Sequence, residues 1–414
     1  MKLLVSHPTL NANSKNLMTG LLENKLLFKL FTSVAIFPGQ LLYKLGENPK
    51  LKDLKRRSLS KSWQPYTRSN SFFEFGRLLT SKLKLKSLTA HESGIFCIDQ
   101  VYHKHDNWVA NNLAKAKRQG LKGVYAYEDG ALSTFTKAKK LGLCCIYDLP
   151  IGYWKSARLL MQKEFEINPD WSETLTGFND SLDKLHKKDW ELALADVIFV
   201  ASSFTKKTLE SYSGNLPEIK VIPYGFPEVK AYKKYQPLAN RKLKVLFIGG
   251  LSQRKGLSYL FDAVAEMPNE VALTVVGQKA VPNCKALNQA LEKHHWISSL
   301  SHEAVLACMR EHDVFVFPSL FEGFGLVITE AMSQGIPVIT TDRTAGPDLI
   351  KHGEDGWIVP SGSSEAIKKV LNEILQKPEL VEQFGIAAQN KAKTRPWSVY
   401  GQEMAEAISS LQLS

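Results

Sequence analysis

The sequence predicts an α/β protein with two doubly wound domains, each built on a parallel β-sheet covered by helices. The chain has 414 residues, which is long for a single hydrophobic core. Short apolar runs alternate with helical patterns in two regions, and residues 226–241, which lack periodicity, separate them as a linker. We therefore predict a first domain at 1–225, a second domain at 242–396 and a final helical segment at 397–414.

The first domain opens with a strand-like run, residues 2–6, and a polar loop that contains His7, Asn11 and Asn13. Ligands of open parallel sheets bind outside the carboxyl ends of the strands, so this loop is placed for ligand contact. The alternative is that the Pro/Asn turn only starts the following helix, with Ser14 as its N-cap.

Two further strand-like runs of this domain end in acidic residues. The run 123–127 precedes Asp129, and the run 142–147 precedes Asp148. Because the carboxyl ends of parallel strands share one edge of a sheet, we expect both carboxylates on the rim that carries His7.

The second domain begins with the strand-like run 242–248 and a turn that contains Gly249, Gly250, Arg254 and Lys255. Glycines let the backbone approach a ligand closely, and the basic side chains offer positive charge to a diphosphate. A glycine-rich turn with basic residues is also a common surface feature, so this turn alone does not identify a site.

A second glycine-rich loop, residues 318–325, connects the apolar run 312–317 to a predicted helix, 326–333. Such a loop presents backbone N–H groups and the positive end of the helix dipole to an anion. Glu322 lies in the loop and Glu330 about two turns down the helix; eight helical residues rise roughly 12 Å, so the two carboxylates are too far apart to share a small metal ion. A phosphate between two carboxylates that bind hydroxyls matches a nucleotide-sugar; the alternative is an ordinary loop with one solvated and one capping Glu.

The run Pro-Ser-Leu-Phe-Glu-Gly-Phe-Gly-Leu-Val-Ile-Thr-Glu-Ala-Met, residues 318–332, resembles the signature of family 4 retaining glycosyltransferases. The resemblance extends over 242–410 and is weaker before residue 242. It implies the GT-B fold, in which two Rossmann-like domains, an acceptor domain and a nucleotide-sugar donor domain, face a central cleft. The final helix would cross back to the first domain.

The resemblance also implies roles for individual residues. Arg254 and Lys255 would neutralise the diphosphate, Glu322 would hold the sugar and Glu330 the ribose. The donor site would comprise Gly249, Gly250, Arg254, Lys255, Trp296, Ile297, Glu322, Gly323, Phe324, Gly325, Leu326 and Glu330. Catalytic candidates are Lys255, Arg254, Glu322, Asp148 and His7, and acceptor-binding candidates are Asn11, Asn13 and Asp129.

Two positions depart from the family pattern. Many members have an Arg directly after the first glycine of the 249–256 turn, where this chain has Gly250, and Arg254 is the candidate to supply that charge. Many members also have a His at the end of a first-domain strand near the donor sugar. The matching segment contains Asp148 and no His, so Asp148 or His7 would take that role.

The expected activity is retaining hexosyl transfer from a nucleotide-sugar to a glycan, lipid-linked or exopolysaccharide acceptor. We expect no metal and no cofactor, since the nucleotide-sugar is a substrate. Two alternatives stay open. One is a soluble glycosyltransferase acting on a small metabolite or glucan, and the other is a catalytically degenerate nucleotide-sugar-binding protein.

The net charge of +12 is concentrated in the first part of the chain: residues 1–240 contain 36 Lys and Arg against 22 Asp and Glu. Residues 50–86 are basic with interspersed aromatic side chains, which suits an anionic membrane surface, a nucleic acid or a solvated face. We do not expect nucleic acid as a partner, because no nucleic-acid motif accompanies the patch. Five cysteines without a CxxC pair, and no signal-peptide pattern, favour a cytoplasmic protein. If the patch 50–86 binds anionic lipid, the protein would be peripheral at the inner membrane face.

Overall fold

The computed structural model describes residues 2–46, 55 and 57–411, and it contains two β-sheets, one in each part of the chain. Neighbouring strands in both sheets are parallel. Central strands such as Leu3–Ser6 and Val314–Phe317 are buried throughout, as expected for sheets that are covered on both faces. The predicted fold class, two doubly wound α/β domains, is confirmed.

The first sheet has seven strands. They are β1 (Leu3–Ser6), β2 (Leu27–Thr32), β3 (Thr67–Ser69), β4 (Gly123–Tyr127), β5 (Cys144–Leu149), β6 (Val197–Val200) and β7 (Glu218–Val221), in the spatial order β3-β2-β1-β4-β5-β6-β7. The helices around them are α1 (Ala12–Glu23), α2 (Leu41–Leu45), α3 (Phe72–Lys82), α4 (Ile98–Arg118), α5 (Leu132–Lys140), α6 (Trp154–Ile167), α7 (Leu182–Leu194) and α8 (Ser203–Thr208). A 3₁₀-helix, Pro169–Thr174, follows α6.

The second sheet has six strands. They are β8 (Leu243–Ile248), β9 (Val271–Val276), β10 (His295–Ile297), β11 (Val314–Phe317), β12 (Val338–Thr341) and β13 (Gly356–Val359), in the order β10-β9-β8-β11-β12-β13. Its helices are α9 (Leu257–Ala265), α10 (Lys285–Glu292), α11 (His302–Glu311), α12 (Leu326–Ser333), α13 (Gly346–Leu349), α14 (Ser364–Gln376) and α15 (Glu379–Thr394).

The last helix, α16 (Trp397–Ser409), packs against α1 of the first domain. The chain returns there because Phe226 N–H donates to the Arg395 carbonyl at 2.9 Å and the Arg395 guanidinium donates to the Pro223 carbonyl at 2.6 Å. The end of the first domain and the end of the second are thus held together ahead of α16.

The N-cap of α1 differs from the expectation. Asn11, not Ser14, caps the helix: its side-chain oxygen accepts from Ser14 N–H at 3.0 Å, while Ser14 Oγ accepts from Asn11 N–H at 2.8 Å. This is a capping box, in which the third helical residue also has a short polar side chain. Ser14 was the N-cap candidate of the alternative interpretation; that assignment was wrong because Asn and Ser both favour N-caps, and the helix begins two residues before Ser14.

The two domains are in direct contact. An apolar cluster joins Met161, Leu175 and Phe204 of the first domain to Leu320 and Phe321 of the second. The rings of Phe204 and Phe321 meet edge to face, with centroids 5.5 Å apart. Within the described part of the chain, no helix is both long and apolar enough to cross a membrane.

Candidate functional site

Two glycine-rich connections of the second domain lie side by side. One, residues 249–256, follows β8, and the other, residues 318–325, follows β11. β8 and β11 are neighbours at the point where the strand order of the sheet reverses, which is where open α/β sheets bind ligands. Leu320 N–H donates to the Arg254 carbonyl at 2.9 Å and ties the two connections together.

The amino end of α12 offers backbone donors. Gly325 occupies the cap position with φ +87°, a conformation that favours glycine, and no side chain caps the helix. The first N–H groups of a helix have no partner within the helix and lie at the positive end of its dipole. This helix start is therefore suited to bind an anion, as the glycine-rich pattern predicted.

Three charged side chains meet beside this helix start. The Lys255 ammonium and the Arg254 guanidinium both contact Oε2 of Glu322, and Arg254 also donates to the Phe321 carbonyl at 2.7 Å. Burial opposes ionisation of Glu322, but Lys255 and Arg254 outweigh it and hold the pKa of its carboxyl below the usual value. With Arg254 and Lys255 protonated and Glu322 ionised, the group has a formal net charge of +1 and can attract a diphosphate.

Glu330 lies in α12, eight residues after Glu322 in the chain. Its Oε1 is 3.6 Å from Nδ1 of His302, the first residue of α11. Burial raises the pKa of Glu330, and His302 opposes part of that shift. Arg254 and Lys255 both contact Oε2 of Glu322, so Oε1 of Glu322 and the carboxylate of Glu330 can each accept hydrogen bonds from a hydroxylated ligand.

The predicted base contacts, Trp296 and Ile297, form β10 at the edge of the sheet. Trp296 Nε1 donates to the Gly277 carbonyl at 3.0 Å, and the Lys279 ammonium lies 4.4 Å from the centroid of the indole. Trp296 is 37% exposed, so an aromatic surface with a nearby cation borders the carboxyl end of β9.

The first domain contributes His7 at its own switch point, where β1 and β4 are neighbours. His7 Nδ1 accepts from the N–H groups of Thr9 at 3.2 Å and Leu10 at 3.0 Å. Those two donors place the ring proton on Nε2. Burial lowers the pKa of His7 to about 3, so the ring is neutral and can donate one hydrogen bond from Nε2.

Asp148 lies at the end of β5, on the same rim. Tyr125 donates to its Oδ2 at 2.6 Å. Burial raises the pKa of Asp148 to about 7, with the Tyr125 hydrogen bond opposing part of the shift. Tyr127, which the sequence reasoning missed, is buried against His7 with ring centroids 4.3 Å apart, and its hydroxyl has no partner among the described residues. An aromatic hydroxyl as the last residue of a strand was its only signal.

The three predicted acceptor residues have different contacts in the structure. Asn11 caps α1, and Asn13 is buried with its amide donating to the Tyr224 hydroxyl at 3.0 Å. Asp129 lies 3.5 Å from the Lys188 ammonium and lines a cavity of about 270 Å³ between α4, α5 and α7. Asn11 and Asn13 thus use side-chain atoms for internal contacts.

The loop of the second domain rests on the rim of the first. Ser202 and Thr205 hydroxyls donate to the Gly323 carbonyl at 2.5 and 2.9 Å. A Cβ added at Gly323 would lie 2.2 Å from the Pro150 carbonyl oxygen, so only glycine permits this approach. The Glu322 loop therefore abuts the segment that follows Asp148, and the two rims are in contact.

Within residues 2–46, 55 and 57–411, the group suited to hold a metal ion is His91, Glu92 and Asp180, whose ligand atoms lie within 4.8 Å of one another. Asp180 also pairs with the Lys184 ammonium at 2.9 Å. This group lies on the surface of the first domain and includes none of the predicted site residues.

Residues 228–391 match the family model described as Glycosyl transferases group 1. The phosphatidyl-myo-inositol mannosyltransferase of Mycobacterium leprae is 31% identical over 176 residues, which cover 41% of this chain and 47% of that protein. The capsular polysaccharide biosynthesis glycosyltransferase CapM of Staphylococcus aureus is 26% identical over 232 residues, 51% of this chain and 60% of CapM. The chain spans about half the length of the curated relatives it matches.

Solved structures match over nearly the whole chain. HepE of Anabaena in complex with UDP aligns with a TM-score of 0.62 and 18% identity, covering 99% of this chain and 100% of HepE. Sucrose-phosphate synthase of Thermosynechococcus elongatus aligns with a TM-score of 0.66 and 16% identity, covering 99% and 98%. At these identities the likeness shows the fold, which is GT-B.

Proposed function

We propose that this protein is a retaining glycosyltransferase that moves a hexosyl group from a nucleotide-sugar to a glycan or lipid-linked acceptor without a metal ion. The observation that carries the proposal is the meeting of Arg254, Lys255 and Glu322 at the uncapped amino end of α12. The match to group 1 glycosyl transferases over residues 228–391 supports it, as do the UDP and UDP-glucose complexes of HepE.

In this transfer the bond between the anomeric carbon and the diphosphate oxygen breaks, and a bond to the acceptor oxygen forms. Negative charge grows on the leaving diphosphate while the sugar becomes oxocarbenium-like. Arg254, Lys255 and the N–H groups of α12 would stabilise that charge, and such preorganised donors lower a barrier by several kcal/mol. Glu330 would hold the ribose and Glu322 the sugar hydroxyls.

The first domain would contact the donor sugar and the acceptor. His7 can donate a hydrogen bond from Nε2, and Asp148 supplies a carboxyl group whose pKa of about 7 lets it change protonation near neutrality. Asp148 stands where the family has its histidine and would accept the proton that the acceptor hydroxyl loses. The sugar then passes to the acceptor oxygen, the nucleoside diphosphate leaves, and the proton of the acceptor hydroxyl passes to Asp148.

We place the protein at an anionic membrane surface through α3. Phe72, Leu79 and Leu83 lie on one face of this helix and are 68%, 60% and 59% exposed. Exposed lysines flank that face: Lys82, Lys84 and Lys86. The acid of this helix, Glu74, is turned inward, where it pairs with Arg57 and with Arg77 at 2.7 Å. Apolar side chains framed by lysines suit an anionic lipid surface. Residues 50–54 and 56 of the basic patch lie outside the described residues.

The activity is tested by incubating the protein with UDP-, GDP- and ADP-hexoses and following the released sugar by NMR, with and without EDTA. Release of the sugar with the donor's anomeric configuration, unaffected by EDTA, is expected. The opposite anomer or loss of turnover in EDTA would overturn retention or metal independence. Binding without turnover, also in the presence of candidate acceptors, would instead favour the degenerate binding protein.

Membrane association is tested by flotation with vesicles of phosphatidylglycerol and of phosphatidylcholine. We expect the protein to float with the anionic vesicles only, and the Leu79→Ser/Leu83→Ser variant to stay in solution. If wild type floats with neither kind of vesicle, the proposed membrane association is wrong and the soluble glycosyltransferase is favoured.

A further inference from the structure

The first domain reaches across the interface to the phosphate-binding turn of the second. The bridging segment, residues 154–175, contains α6 and the 3₁₀-helix Pro169–Thr174. Its Trp171 stacks on Phe261 of α9, with ring centroids 5.8 Å apart. Its Asp170 carbonyl contacts Cys284 Sγ at 3.5 Å. The segment belongs to the first domain in sequence but lies on the second domain.

Gln253 of the phosphate-binding turn is hydrogen-bonded to the bridging segment through both its backbone and its side chain. It begins the short 3₁₀-turn Gln253–Lys255 that carries both basic side chains of the site. Gln253 is fully buried, and its backbone N–H donates to Thr174 Oγ1 at 2.8 Å. Its side-chain amide donates to Glu164 Oε1 at 2.7 Å, and its amide oxygen accepts from Ser258 N–H at 3.0 Å. The backbone and the side chain of the turn are therefore both held from the other domain.

Glu164 is the centre of this interdomain network. Besides Gln253, its carboxylate accepts from Asn168 Nδ2 at 2.6 Å and from the Tyr259 hydroxyl at 2.9 Å. Tyr259 belongs to α9, the helix that follows the turn, so the carboxylate connects two points of the second domain to α6. A buried carboxylate with three donors is costly to leave unpaired, which opposes separation of the domains.

We propose that Glu164 and Thr174 are positioning residues for the phosphate-binding turn. They fix Gln253, and through it they aim Arg254 and Lys255, only while the domains are closed. The inference rests on the proposed function, since it assigns the turn to a diphosphate. Donor binding and domain closure are then coupled through the turn itself. The open protein binds the nucleoside part of the donor but binds its diphosphate part more weakly than the closed protein does.

The test compares nucleoside diphosphates with the matching nucleosides by calorimetry on Thr174→Val, Thr174→Ser and Glu164→Gln. UDP, GDP and ADP are run beside uridine, guanosine and adenosine. Thr174→Val keeps the shape of the side chain but leaves the Gln253 N–H without its acceptor. We expect about tenfold weaker binding of the diphosphate, no change for the nucleoside, and recovery in Thr174→Ser.

A matched control weakens an interdomain contact away from the turn. Asp348 accepts from the N–H and the hydroxyl of Ser203 at 2.9 and 3.0 Å, and Asp348→Asn weakens that contact alone. It should leave the ratio of diphosphate to nucleoside affinity unchanged. If Thr174→Val and Glu164→Gln also leave the ratio unchanged, or lower both affinities equally, the positioning role is wrong. If wild type binds no nucleotide at all, the proposed function fails instead.

Discussion

Replacing Gly323 by Ala should separate the two domains. The added Cβ would lie 2.2 Å from the Pro150 carbonyl oxygen and 2.7 Å from the Ile151 Cα, and both of these atoms are backbone. No flexible side chain can move aside, so the loop or the whole domain must shift. Gly323 does not have a left-handed φ, so Ala is compatible with its backbone and the perturbation is steric.

Overpacking of this kind costs about 1–3 kcal/mol. If that cost falls on the closed arrangement, the closed population drops about 5- to 150-fold relative to the open one. We expect kcat/KM, measured by release of the nucleoside diphosphate, to fall within that range, and small-angle scattering to report a larger radius of gyration. The nucleoside should bind as in wild type, because its predicted site lies in the second domain.

Gly177→Ala is the matched control, because a Cβ there meets no atom within 4 Å and its backbone is also compatible with Ala. It should match wild type in scattering and in turnover. If Gly323→Ala also matches wild type in both measurements, the closed contact between residues 323 and 150 has no part in the reaction.

Three further predictions concern single side chains. A Cβ at Gly250 meets no atom within 4 Å, so Gly250→Arg should be accommodated and, by restoring the family's charge, should tighten UDP, GDP or ADP binding about tenfold in calorimetry. Burial raises the pKa of Asp148 to about 7 from an ordinary value of 3.8, so its contribution to stability is lost as the pH rises towards and through 7. In chemical denaturation, the free energy of unfolding of Asp148→Asn should therefore rise relative to that of wild type by roughly 2 kcal/mol between pH 5 and pH 8. A difference that does not change with pH would contradict the raised pKa. His302 opposes the raised pKa of Glu330, so His302→Gln should raise that pKa further. As the pH is lowered, Glu330 should then be protonated, and nucleotide binding lost, at a higher pH than in wild type, which a pH series of dissociation constants would record.

Much of the candidate donor site could be predicted because its residues are close in sequence. The loop 318–325 and the helix Leu326–Ser333 follow from a local pattern of apolar residues, glycines and a stop signal, and the structure has that helix with the same bounds. The contact between Lys255 and Glu322 joins residues far apart in the chain, but each lies in a recognisable glycine-rich motif.

The residues that sequence reasoning missed or placed differently depend on contacts between distant segments without such motifs. Asn13 bonds to Tyr224 and Gln253 bonds to Glu164, and no local pattern around either member predicts its partner. In the sequence, Tyr127 is indistinguishable from any other strand residue. Only the structure shows that it packs against His7 and that its hydroxyl has no partner among the described residues. Loop polarity alone suggested Asn11 and Asn13 as acceptor ligands, whereas in the structure Asn11 caps a helix and Asn13 donates a hydrogen bond to Tyr224.

The most direct measurement is a thermal-shift panel of UDP, GDP, ADP and their sugar conjugates on wild type and Glu330→Ala. At 100 times its dissociation constant, a ligand should stabilise the fold by about 2.7 kcal/mol. We predict that nucleotides of one base raise the melting temperature of wild type and do so much less in Glu330→Ala. No shift with any nucleotide, or an equal shift in the variant, would contradict a nucleotide-sugar site at Glu322 and Glu330.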